Sequence, residues 1–259
     1  MQTKRWSEEE TILALYLYFQ LPFGQLHSGN PDIQRLAEKI GRTHSSVAMK
    51  LANLASLDPK ITDSGRKGLE GASKLDREVF DRYRQDWTSL VSEAERLMQT
   101  GDSQSEQTSL MESRTEFEWR RISGPSSVQR LTEQRLGQGF FRRAVIANFD
   151  EYCCITGIAD DRLLNASHIV PWGSDIYNRH NPANGLSLSA TFDRAFDRGL
   201  LTVLPSGFVE ISNQLLASAS AETRAHFIPY QGKRIRTGTR FDPDPVLLAR
   251  HNKEQFVGK

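Results

Sequence analysis

Apolar positions fall at helical spacing over the first hundred residues. From Ile12 to Phe19 they occupy nearly every position, so a helix there is apolar on almost all sides and calls for burial. Ser7 followed by Glu10 is a capping box that predicts its start. Asn30 before Pro31 marks a second start, with Ile33, Leu36, Ala37 and Ile40 as the apolar stripe and Gly41 as the stop. Thr43 caps a third helix whose inward stripe is Val47, Leu51 and Leu54, leaving Ser45, Met49 and Asn53 on the opposite side. The pattern predicts one further helix from Lys74 to Met98, and another from Arg135 to Phe149, basic and apolar by turns. The period then changes. A strand-like run from Leu163 to Trp172 holds one histidine; a loop, a short strand from Leu186 to Leu188 and a helix capped by Ser189 follow. An all-helical first half followed by strand, loop, strand and helix predicts an α+β chain.

The chain has 259 residues, 38% hydrophobic and 25% charged, which fits one large or two modest globular domains. Lys plus Arg number 33 against 32 Asp plus Glu, so the net charge is +1 and any nucleic-acid surface must be local. The charge is uneven: residues 61–119 carry 8 basic against 13 acidic side chains. Gln99 to Glu116, rich in Ser, Gln, Glu and Thr, cannot bury enough surface to offset its ordering entropy. The division expected is a helical module over 1–98, an acidic linker over 99–127 and a second domain over 128–259. Thr11 to Phe23 is too short to cross a bilayer, and Glu8, Glu9 and Glu10 sit where a signal peptide would be positive. The adjacent Cys153 and Cys154 offer no disulfide framework, and no Cys-x-x-Cys pair announces structural zinc. A cytoplasmic protein with no membrane partner is the expectation.

Trp6 with Ser7 to Glu10, and the Gly41-Arg42-Thr43 turn between two short helices, resemble small helix-turn-helix modules of the Myb/SANT-like and winged-helix kind. The resemblance implies DNA contact, with Arg42 and Lys50 on phosphates and Ser45, Met49 and Asn53 facing base edges. A plain three-helix adaptor is the alternative.

Ser-His-Ile-Val-Pro-Trp from Ser167, then Asn-Pro-Ala-Asn-Gly-Leu-Ser-Leu-Ser, then Phe-Asp-Arg-Ala-Phe-Asp-Arg-Gly-Leu resemble the HNH endonucleases over roughly 130–212. The resemblance implies a ββα-metal core in which His168 is the general base, Asn184 fixes the loop and Asp193 stands where the family has its last, metal-binding histidine. Asp197, one turn on, matches a further ligand position in some members. Ser167 stands where the family often has an acidic residue or histidine.

Residues four apart share a helix face, so Asp193 and Asp197 can converge on one cation. Carboxylate oxygens favour Mg²⁺ or Mn²⁺ over Zn²⁺. The alternative is that Arg194 and Arg198 merely neutralise these acids. Arg142, Arg143, Arg194 and Arg198 are candidates to hold flanking phosphates; for the helix of Arg142 and Arg143 a solvated face with salt bridges is the alternative. The function expected is metal-dependent endonuclease action on double-stranded DNA, of restriction or defence type and with base modification as a candidate requirement. A homodimer is expected, because one such core cuts one strand at a time. An inactive HNH-like DNA-binding regulator and an RNA nuclease are the alternatives.

Overall fold

The computed structural model describes residues 5–99, 125–218 and 220–258. Most of the stretch expected as a linker lies outside them; Gln99 ends one helix, and 125–127 begin another.

The first half is organised around α1 (Glu8–Phe19), whose residues from Thr11 onward are all buried. Its start is the expected capping box: Ser7 Oγ accepts from Glu10 N at 3.1 Å and Glu10 Oε2 accepts from Ser7 N at 3.0 Å. Such a cap stabilises by about 1 kcal/mol. Around α1 stand α2 (Pro31–Lys39), α3 (His44–Ala55), α5 (Lys74–Tyr83) and α6 (Trp87–Gln99), with the short α4 (Pro59–Asp63) after α3. Asn30 and Thr43 cap α2 and α3 as their residue types predict, and Gly41, at φ +64°, makes the left-handed turn between them.

The single helix predicted over 74–98 is two. Asp86 accepts from Ser89 N at 3.0 Å and opens a new helix, and the bend lets both Phe80 and Trp87 reach α1. The ring of Trp87 meets Phe19 edge-on at 4.7 Å.

The helix expected from Arg135 runs longer, as α7 (Pro125–Asn148), and serves two cores. Phe140 and Ala144 belong to the helical core, where Phe140 stacks on Tyr16 at 4.9 Å. Phe141, Val145, Ile146 and Phe149 belong to the second core. After α7 the backbone turns through Asp150 (φ 51°) and Glu151 (φ 63°). Both meet the first half, Asp150 through Arg66 at 3.5 Å and Glu151 through Gln25 at 3.0 Å. From near the C-terminus, Phe241 enters the helical core against Trp87 and Phe19 (5.0 and 5.7 Å), and Arg240 lies 4.3 Å over Tyr18. The two halves therefore share packed surface.

In the second half, β1 (Leu164–His168) and β2 (Gly185–Ser189) pair antiparallel from Leu164↔Ser189 to His168↔Gly185, and α8 (Ala190–Asp197) packs across them. A second hairpin, β3 (Leu201–Val203) and β4 (Val209–Ile211), lies beyond, with α9 (Asn213–Ser218), α10 (Ala221–Phe227) and α11 (Pro245–Glu254). The backbone N–H of Cys154 donates to Ser187 O at 2.8 Å, which ties it to β2. Both thiols are buried, and burial pushes that of Cys154 well up. Among the described residues no helix is long and apolar enough to cross a membrane.

Candidate active site

The end of β1 is pressed against α7. Gly185, opposite His168 in the register, has no room for a side chain: a Cβ there would lie 2.3 Å from Val145 Cγ2. This close approach brings Phe141 of α7 onto the imidazole of His168, with ring centroids 3.6 Å apart and planes 9° from parallel. Trp172 closes on the same ring edge-on at 5.7 Å. His168 Nε2 lies 3.1 Å from Arg179 O and donates to it, because a carbonyl only accepts. The lone pair is then on Nδ1. Burial lowers the pKa of His168 and outweighs the upward pull of that hydrogen bond, so the ring is neutral at pH 7.

Asn184 is fully buried and ties the strand-connecting loop at both ends. Its Oδ1 accepts from Val170 N at 2.8 Å, and its Nδ2 donates to Val170 O and Asn178 O, each at 3.1 Å. Its own carbonyl accepts from Ile169 N at 2.9 Å.

Asp193 and Asp197 stand one turn apart on the face of α8 turned to β1 and border the same cleft as His168, a space of about 470 Å³ that Arg142, Asn165 and Trp172 also line. Asn165 Nδ2 donates to Asp193 Oδ2 at 2.7 Å. Partial burial and the Asp193 charge raise the Asp197 pKa above the usual carboxylate value. Ser167 lies beside Asp197 and favours its charged form. Its hydroxyl oxygen is shielded from solvent and has no well-aligned hydrogen-bond partner among the described residues. Arg194 and Arg198 pull the Asp197 pKa down in part, without outweighing burial and the Asp193 charge. This donor set of hard carboxylate oxygens suits a divalent cation that keeps several waters and completes its shell with substrate oxygen. Among the described residues no group of three or more His, Cys, Asp or Glu is gathered at metal-holding spacing.

The remaining candidates fare unequally. Arg142 lines the cleft, but its guanidinium donates to Leu164 O (2.8 Å) and Asp161 O (3.2 Å), fastening α7 to the start of β1. Arg143 faces away, bonded to Gln20 at 2.7 Å and 3.5 Å from Asp32. Arg194 and Arg198 border a separate apolar hollow with Leu215 and Phe227. Arg42 and Lys50, expected on phosphates, are both engaged within the fold. The Arg42 side chain is 8% exposed and 2.6 Å from Glu10, and Lys50 pairs with the buried Asp76. Both cations lie over the Trp6 ring. Lys50 follows the inward stripe because α5 brings Asp76 to it, a partner 26 residues away that helical spacing does not reveal. Of the three residues expected to face bases, Ser45 and Met49 are exposed and Asn53 is half-buried, its Oδ1 shielded and lacking a hydrogen-bond partner among the described residues.

Sequence reasoning misses Asn165, Phe141 as the His168 stacking partner, and Trp172. Period-2 alternation on β1 places Asn165 two residues from Ser167, on the same face, and that is a usable signal.

A comparison with curated proteins finds no match. Residues 153–204 match a family model described as HNH endonuclease. That span holds β1, the loop, β2 and α8, and with them His168, Asn184, Asp193 and Asp197, so the segment that builds the cleft is the one similar to the HNH endonuclease family.

Proposed function

We propose that the protein is a metal-dependent endonuclease that hydrolyses phosphodiester bonds of double-stranded DNA, of restriction or defence type. One observation carries it: a neutral, stacked His168 and the carboxylates of Asp193 and Asp197 border a single open cleft.

Nδ1 of His168 takes the proton of a water directed at phosphorus, while Phe141 keeps the ring neutral and fixed in plane. The bond from Nε2 to Arg179 O sets the tautomer and stabilises the imidazolium that forms. Asn184 holds the loop carrying that carbonyl and transfers no proton. Asp193, oriented by Asn165, and Asp197 would hold the cation. When bound, it supplies positive charge to the phosphate and the leaving oxygen. The exposed Ser45 and Met49, across α3 from its buried stripe, remain the candidates for base contact. A modification requirement and a homodimer belong to this reading as well.

The test is incubation of purified protein with unmodified and modified plasmid DNA and with structured RNA, under Mg²⁺, Mn²⁺, Zn²⁺ and EDTA. Nicking or linearisation with Mg²⁺ or Mn²⁺, abolished by EDTA, supports the reading. Cleavage of RNA alone, or retention of DNA without cutting under every metal, favours one of the two alternatives.

A further inference from the structure

The loop joining the two strands, whose Arg179 carbonyl holds His168, shows two large apolar side chains to solvent: Tyr177 is 83% exposed and Ile176 is 55% exposed. Their backbone is held at several points. Asp175 Oδ1 accepts from Tyr177 N at 3.1 Å and Asn178 N at 3.2 Å, and its other oxygen accepts from Asn178 Nδ2 at 2.9 Å. Asn181 Nδ2 donates to Asn178 Oδ1, and Arg250 of α11 lies 3.8 Å from Asp175. The next two residues reach into the site, Asn178 O accepting from Asn184 and Arg179 O from His168. Tyr177 thus stands immediately before the two carbonyls that fix the loop and the base. A ring displayed on a turn this firmly set loses little further freedom when something binds it.

The charges around it are largely paired, Arg250 lying 3.0 Å from Glu254 as well as near Asp175. The Asp175 carboxylate is engaged within the turn and by Arg250, while Arg179 lies 5.6 Å over the Trp172 ring at the rim of the cleft. The feature that an exposed aromatic two residues from the carbonyl holding the proposed base complements is the base stack, whose faces are apolar and whose steps open under an inserted side chain. We propose that Tyr177, backed by Ile176, wedges against the bases next to the scissile step and holds the strand open over His168. This rests on the nuclease reading above and adds a substrate contact to it.

The experiment uses the full chain and two duplexes spanning a mapped cut site, identical except that one carries a mismatch at the scissile step. Tyr177→Ala should slow cutting of the paired duplex by about tenfold to a hundredfold. Tyr177→Phe should keep wild-type rates, and the mismatch should restore most of the alanine variant's loss. The melting temperature of Tyr177→Ala should equal that of wild type, since the ring is outside the core. Equal rates for Tyr177→Ala and wild type on the paired duplex overturn the wedge, as does a loss that the mismatch does not relieve. A shift in oligomer size with cutting unchanged would assign the pair to a contact between copies of the chain and overturns it too. Wild-type protein that cuts neither duplex removes the nuclease reading, and the wedge with it.

Discussion

The imidazole of His168 lies flat on the ring of Phe141, 3.6 Å between centroids, so the proposed base is set in position and shielded on one face by a helix that also forms part of the other core. His168→Ala should lower the cleavage rate by about 10² to 10⁴, the usual cost of losing a general base. Phe141→Ala should act differently. Water admitted to the ring raises the pKa of His168 from its depressed value toward 6.5. The base works only when neutral, so the acid limb of the pH–rate profile should move to higher pH. A limb that stays put in the Phe141 variant would show that burial does not govern this ring.

Burial first, and the neighbouring Asp193 charge second, disfavour the ionised form of Asp197 and raise its pKa. In EDTA, Asp197→Asn should therefore melt at or slightly above the wild-type temperature while losing cleavage. Mg²⁺ or Mn²⁺ should raise the melting temperature of wild type and fail to raise that of Asp193→Ala. Identical metal-induced shifts in both proteins would exclude the carboxylates as the cation site.

Asn165 touches the reaction only through Asp193. Residues that orient a ligand in this way typically contribute about 10- to 100-fold in metal affinity or activity. Asn165→Ala should weaken the half-saturating metal concentration by that order and recover part of its activity at high metal, whereas His168→Ala should not. Metal titrations of both variants decide it.

Lys50 is a matter of folding. Removing it leaves Asp76, itself 1% exposed, as an unpaired buried charge, although Ser73 N still donates to that carboxylate at 2.9 Å. Lys50→Ala should cost about 3–5 kcal/mol of stability. Met49→Ala, at a side chain 57% exposed, should leave stability unchanged. Denaturant unfolding of the two variants tests the contrast.

Two further histidines are held uncharged, His180 and His251, each with its pKa brought down to about 4 by burial. The unfolded imidazole takes its proton near 6.5, so the stabilisation is complete above that pH and disappears as pH falls toward 4. For the fully buried His251, which stacks on Phe196 at 3.8 Å and accepts from Thr202, the whole effect is about 3 kcal/mol. Melting temperature should drop between pH 6.5 and 4, with a shallower slope in His251→Gln. Parallel slopes would remove His251 from that account.

Local rules made α1, α2 and α3 legible, because Ser7 with Glu10, Asn30 with Pro31, and Thr43 satisfy backbone donors a few residues away. The strand, loop, strand and helix of the nuclease motif were legible through the spacing of His168, Asn184 and Asp193. What depends on distant partners was not. Lys50 is buried because of Asp76, and Arg143 turns from the cleft because Gln20 and Asp32 draw it to α1 and α2. His251 shows no spacing to any ligand, and its place under Phe196 depends on α11 crossing β3. The three-residue strands β3 and β4 are too short for alternation to register.

Because neighbouring phenylalanines on α7, Phe140 and Phe141, enter different cores, the nuclease part is poorly suited to travel between chains as a cassette. A cut placed before α7 strips the cover from Phe140, and one placed after it removes the floor beneath His168. Any lineage that exchanged its helical first half would have had to keep one side of this helix matched to a new neighbour, so the two halves are expected to change in concert.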